Sequence, residues 1–201
     1  MLIKIIIISL LLLPATGRLA SVDNADFEIC YKSLEYESEC VSARAFVRAV
    51  RSNKDISNYF SLIDFDDIAI ASISTRIDPL LIVAMAYRES NFKSAATSIV
   101  GAQGVMQIMP RTRQEIIDLY GDMDNDYLMG AVYLAHIKNA NNFDWVETVA
   151  AYNEGPTRVR KRMNDPGFAK DHQYVDRVFG TFLELKKTLP SSSSRSIASI
   201  E

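Results

Sequence analysis

The sequence predicts a mainly α fold with at most a very small β element. Three observations carry that expectation. Apolar residues recur at three- and four-residue spacing in one stretch after another, strict apolar–polar alternation is nearly absent, and helix-start and helix-stop residues punctuate the chain at short intervals.

The elements follow in order. The stretch 42–50 places Ala43, Phe46, Val47 and Val50 on one helical face. An isoleucine-rich helix is expected over 64–75. Asp78-Pro79 is a strong start signal, with a capping carboxylate followed by a proline whose fixed φ suits the first helical position. The following stretch 80–87 is apolar on every face, so this helix should be central and buried. Gly101 and Gly104 interrupt the pattern, and any sheet is expected near 98–107. Pro110 opens a helix through Tyr120, and further helices are expected over 125–139, 144–153, 156–163 and 171–187. There is no internal repeat. The tail 189–201, with Ser191 to Ser194, should be flexible.

The amino-terminal segment 1–17 has the layout of a secretory signal. Lys4 precedes an apolar run from Ile5 to Leu13, and Pro14-Ala15-Thr16-Gly17 supplies small residues for cleavage. The run is shorter than the roughly 20 residues of a spanning helix. We therefore expect an exported protein, periplasmic or otherwise in the cell envelope. Export makes a Cys30–Cys40 disulfide the preferred state of the two cysteines, the alternative being two buried free thiols. A straight helix would hold them about 15 Å apart, so a bridge requires a turn between them. Residues 18–61 are read as an N-terminal helical extension carrying this bridge, ahead of a catalytic domain over 62–188.

Composition narrows the function. With 201 residues, 48% hydrophobic and 23% charged, the chain can bury a sizeable core. The net charge of −3 lacks the basic excess of a duplex-binding protein, so no nucleic acid partner is expected. Two histidines and two cysteines do not make a closed zinc site, and no metal is expected. Neither a Walker loop nor a dinucleotide glycine fingerprint is present.

Three clusters could carry chemistry. Glu89 extends the apolar stripe Ile82–Met85–Ala86 at the end of the buried helix, a setting that strips hydration from a carboxyl and raises its pKa toward the range of a general acid. An ordinary exposed glutamate at a helix terminus is the competing reading. In the second, Gly101 and Gly104 permit unusual backbone angles while Gln107 offers a donor and an acceptor; a tight turn with Met106 and Met109 filling the core explains the same residues. The third, Ala151-Tyr152-Asn153-Glu154-Gly155-Pro156, reads as a helix end that could aim Tyr152 and Asn153 into a cleft, or as a plain C-cap.

Taken together and in order, Glu89-Ser90, Gly101-x-x-Gly104-x-Met106-Gln107-x-Met109-Pro110 and Ala151-Tyr152-Asn153-x-Gly155 resemble the soluble lytic transglycosylase catalytic domain. The resemblance runs over about 68–179 and includes Ser98, Thr112 and Tyr174-Val175; Val105 stands where leucine is commoner, and Lys170-Asp171 replaces the usual Glu-Thr. It implies a lysozyme-like helical fold and cleavage of the β-1,4 bond between N-acetylmuramic acid and N-acetylglucosamine in peptidoglycan. It further implies a 1,6-anhydro product, stabilisation of the positive intermediate by the substrate's N-acetyl group, and no cofactor. By the same resemblance Glu89 is the single acid/base, Gln107, Tyr152, Asn153 and Tyr174 line the sugar cleft, and Ser90 and Met106 shape the site around Glu89. The alternatives are a hydrolytic muramidase on the same fold, which needs a second carboxylate or base to position water, and a non-catalytic wall-binding assembly protein. The expected partners are peptidoglycan glycan strands, with a secretion or conjugation apparatus as a further candidate, and the chain is expected to be a monomer.

Two other features imitate sites. Asp122, Asp124 and Asp126 have the spacing of a calcium loop, but Tyr127 and Tyr133 stand at the positions that require Gly and Glu, so the run is read as an acidic helix start. The basic run Arg158 to Arg162 is read as a solvated helix face, with binding of anionic wall polymers or peptide carboxylates as the alternative.

Overall fold

The computed structural model describes residues 28–32, 38–162 and 172–189. Two strands open the described chain, β1 (Glu28–Lys32) and β2 (Ser38–Ser42), paired antiparallel with Cys30 opposite Cys40. Helices follow: α1 (Ala43–Ser52), a 3-10 segment (Ser57–Leu62), α2 (Phe65–Thr75), α3 (Pro79–Ser90), α4 (Pro110–Tyr120), α5 (Asp126–Asn141), α6 (Trp145–Glu154), α7 (Pro156–Arg162) and α8 (Gln173–Lys187).

The expected starts have clear physical agents. Asp64, Asp78, Asn125 and Asp144 each cap a helix by accepting a backbone N–H from the first turn. At Asp144 the device is reciprocal, because the Glu147 carboxylate accepts the Asp144 N–H in return. The core forms around α3. Its residues Pro79 through Ala86 are all buried, and α1, α2, α5 and α8 pack against it. Leu80, Leu81, Ile82 and Met85 each contribute roughly 2–3 kcal/mol of burial. A helix enclosed on all sides is the most rigid mount the fold offers, and its last turn carries Glu89.

Two expectations need correction. The extension over 18–61 was expected to be helical, yet its described part begins with a hairpin. Ile29, Tyr31 and Val41 face the core while Glu28, Cys30, Lys32 and Cys40 face out. Each strand has only five residues, too few for alternation to stand out, and the Cys30–Cys40 disulfide joins directly opposed positions. Second, the small sheet expected near 98–107 is instead this hairpin. The glycine-rich segment makes isolated bridges, Thr97 with Gln103 and Gln103 with Ile108.

The far end of α8 is tied to the hairpin and to α3. Lys186 Nζ lies 2.9 Å from Glu39, 3.0 Å from the Tyr31 hydroxyl and 3.3 Å from the buried Asp78 carboxylate. The expected signal segment 1–17, the tail beyond Leu189, and Met163 and Asp171 at two expected helix ends lie outside the described residues. Among the described residues, no helix is long and apolar enough to cross a membrane.

Candidate active site

Glu89 sits in the last turn of α3, just before the chain reverses. Asn91 and Phe92 both adopt left-handed backbone angles, φ 53° and 63°. The second is costly for a bulky side chain and is held by burial of the Phe92 ring, stacked on Tyr87 at 6.0 Å. Ser90 is buried; its hydroxyl donates to the Val105 carbonyl at 2.8 Å and accepts the Lys93 N–H at 3.1 Å. The residue beside Glu89 thus fastens the end of α3 to the glycine loop.

That loop is built by its own hydrogen bonds. Gly104 N–H donates to Ala96 C=O at 2.9 Å, and Gln103 and Ile108 exchange two backbone bonds at 3.0 Å. Gly104 has φ +77°, and a Cβ there would lie 2.1 Å from Asp126 Oδ2, so only glycine fits. Asp126 is held in turn by Arg113 Nη2 at 2.6 Å and caps the Val105 N–H at 3.4 Å. Gln107 also has positive φ, and its Nε2 donates to the carbonyls of Gly104 (2.9 Å) and Ala96 (3.2 Å). Its amide nitrogen therefore braces the loop.

Met106 is buried against Gly130 of α5, where an added Cβ would come within 2.7 Å of its Cγ. Its carbonyl accepts the Tyr152 hydroxyl at 2.8 Å, and the Tyr152 ring leans on Tyr133 at 5.3 Å. Tyr152 is therefore a buried strut between α6 and the loop. Asn153, next along α6, is exposed.

Tyr174, in the first turn of α8, donates its hydroxyl directly to Glu89 Oε1. Burial raises the Glu89 carboxyl from 4.5 to about 7, against the smaller opposing pull of that hydrogen bond. Burial, reinforced by the Glu89 charge, also holds the Tyr174 phenol well above its usual value, so the tyrosine remains a donor. Among the described residues, no second carboxylate perturbs Glu89.

The structure thus gathers Glu89, Ser90, Met106, Gln107, Tyr152 and Tyr174 into one linked set, with Asn153 at its open edge. Sequence reading missed several members. Asp126 was read only as a helix start, yet it also clamps the loop. Glu154 stood as an unassigned position between Asn153 and Gly155, but its carboxylate contacts Arg162 at 3.1 Å and His172 Nε2 at 2.8 Å. Arg162 was counted with the solvated basic run; Arg158, Arg160 and Lys161 are exposed as expected, and Arg162 is half-buried against Glu154. Arg88 donates from Nη2 to Thr181 Oγ1 at 2.6 Å, joining α3 to α8. None of these long-range pairs leaves a spacing signal.

Comparison with known proteins identifies the family. A family model described as the Transglycosylase SLT domain covers residues 67–175, more than half of the chain. The soluble lytic murein transglycosylase of Escherichia coli K12 is 32% identical over 89 residues, covering 39% of this chain and 14% of that protein. The membrane-bound lytic murein transglycosylase F of Nitrosospira multiformis is 32% identical over 127 residues, covering 57% and 24%. The chain thus spans a quarter or less of these relatives' length. Among solved structures, an inactive mutant of the lytic transglycosylase Slt of Pseudomonas aeruginosa superposes with TM-score 0.56 at 28% identity, over 61% of this chain and 24% of that one. The 70 kDa soluble lytic transglycosylase of Escherichia coli gives TM-score 0.55 at 20% identity, over 74% and 32%, a likeness of fold. The fold is the lysozyme-like helical fold of these enzymes, and the chain belongs to the transglycosylase SLT domain family.

Proposed function

We propose that this chain is a peptidoglycan lytic transglycosylase with Glu89 as its single acid/base. The observation that carries the reading is a desolvated carboxyl, raised to about 7, held by a tyrosine hydroxyl and by no neighbouring carboxylate among the described residues. Near neutral pH such a group populates both proton states, which a two-step mechanism requires. In the first step Glu89 gives its proton to the glycosidic oxygen as the bond from muramic C1 to that oxygen breaks. In the second the muramic C6 hydroxyl bonds to C1 and returns its proton to Glu89, closing the 1,6-anhydro ring without consuming water. Tyr174 supports the ionised form between the steps. Gln107, Asn153 and Tyr174 contact the sugar, while Ser90, Met106 and Tyr152 hold the loop that shapes the cleft.

Around this centre we read 1–17 as an export signal, 18–61 as an extension, 62–188 as the catalytic domain and 189–201 as a tail. The enzyme acts in the envelope on glycan strands as a monomer, and recruitment by a secretion or conjugation apparatus fits a small wall-opening enzyme. The test is mass spectrometry of fragments released from purified peptidoglycan by wild type and by Glu89→Gln. Anhydro-muramic products from wild type, falling about a hundred- to ten-thousand-fold in the variant, are expected. Equal turnover by both removes Glu89 from the mechanism.

A further inference from the structure

We propose that Glu154 is a positioning residue that, through His172, sets the start of α8 so that the Tyr174 hydroxyl lands on Glu89. The inference rests on reading Glu89 as the acid/base. Tyr174 is the second residue of α8, in the first turn, where backbone N–H groups lack partners within the helix and the end is prone to fray. Whatever holds that turn decides where the phenol points.

The holder is His172, the N-cap of α8, buried to 8% exposure. Its Nδ1 accepts the Val175 N–H at 3.5 Å, so the ring proton belongs on Nε2. Nε2 faces Glu154 Oε1 at 2.8 Å. One ring nitrogen thus holds the helix start, and the other is itself held by the last residue of α6. Glu154 is fixed from α7 by Arg162 Nη1, 3.1 Å from each carboxylate oxygen. The ends of α6, α7 and α8 therefore meet in one relay, Arg162–Glu154–His172.

A second clamp lies farther along α8. Arg88 grips the Thr181 hydroxyl and the Arg177 carbonyl, fastening the middle of the helix to α3. Arg88 reaches the helix only at Arg177 and Thr181, beyond the turn that carries Tyr174. The relay restrains the turn that carries Tyr174. The charged and titratable groups around this pair are few and distinct in role. Tyr174 from α8 bonds Glu89, whose charge also acts on Tyr152 of α6; Arg177 acts on Tyr174, and Tyr133 and Asp126 of α5 with Arg113 of α4 act on Tyr152.

A merely structural role for Glu154 would change stability and leave the titration of Glu89 alone. The test follows the Glu89 carboxyl by ¹³C NMR titration in the full chain, which requires no catalysis. It therefore separates failure of this inference from failure of the proposed function, which is judged by wild-type cleavage of peptidoglycan. Tyr174→Phe should raise the Glu89 midpoint by about one pH unit, the worth of one hydrogen bond to a charged group. Glu154→Ala should raise it in the same direction, and Glu154→Gln, which still accepts from Nε2, should stay near wild type. His172→Asn retains a short capping side chain but cannot span to Glu154, so it should reproduce the Glu154→Ala shift and serves if Glu154→Ala does not fold. In the double variant Glu154→Ala/Tyr174→Phe, the shift should not exceed that of Tyr174→Phe alone. A wild-type Glu89 titration in folded Glu154→Ala or His172→Asn, or additive shifts in the double variant, overturns the proposal.

Discussion

Replacing Glu89 by glutamine should stabilise the protein at alkaline pH while removing its activity. In the folded chain the carboxyl holds its proton up to about pH 7, against 4.5 for an ordinary glutamate. The folded state therefore binds the proton more tightly than the unfolded one. The stability this contributes is complete below pH 4.5 and is lost as pH rises toward 7, where the buried group must ionise. The gap corresponds to about 3 kcal/mol at 1.36 kcal/mol per pH unit. Glutamine keeps the shape and the oxygen that accepts from Tyr174, but has no charge to desolvate. Urea unfolding at pH 4 should find wild type and Glu89→Gln nearly equal. At pH 8 the variant should lead by about 3 kcal/mol, or roughly 6–12 °C in Tm for a chain of this size. A stability difference that is the same at both pH values would falsify the claim that Glu89 is a desolvated carboxyl.

Further substitutions probe the scaffold. Gly104→Ala should cost more than about 2 kcal/mol, because φ is +77° and the new Cβ meets the Asp126 carboxylate, itself pinned by Arg113; chemical denaturation measures it. Gly130→Ala should cost about 1–3 kcal/mol by overpacking against Met106, and should lower activity more than its stability loss explains, since the Met106 carbonyl anchors Tyr152. Lys186→Met leaves Asp78 buried without its cation and should cost about 3 kcal/mol, read from the urea midpoint. Reducing the Cys30–Cys40 bridge should lower stability by about 2–3 kcal/mol without changing products, checked by melting with and without reductant.

The helices were legible because their signals are local. Asp78 caps as expected, Asp64, Asn125 and Asp144 cap the helices expected to begin at them, and the uniformly apolar run after Pro79 is indeed the buried centre. The stripe leading to Glu89 also anticipated a desolvated carboxyl, because a stripe of buried residues carries its last member inward. The hairpin escaped because two five-residue strands give periodicity little to work with. Contacts between distant residues were beyond any spacing argument. Tyr174 and Glu89 are 85 positions apart, and the resemblance brought Tyr174 to attention without saying what it touches. Glu154 was an unassigned position at a helix end, and only folding places His172 and Arg162 around it.

The central claim is that one carboxyl serves both proton transfers and that the nucleophile is the substrate's own C6 hydroxyl. A group held near C1 has a large effective-molarity advantage over solvent, provided the sugar is kept in an attack geometry. Digestion of purified peptidoglycan in ¹⁸O-labelled water, followed by mass spectrometry, tests this directly. The account predicts anhydro-muramic ends that carry no label. Reducing muramic ends with ¹⁸O at C1 would contradict it, showing that water attacks and that a residue positioning it stands near Glu89.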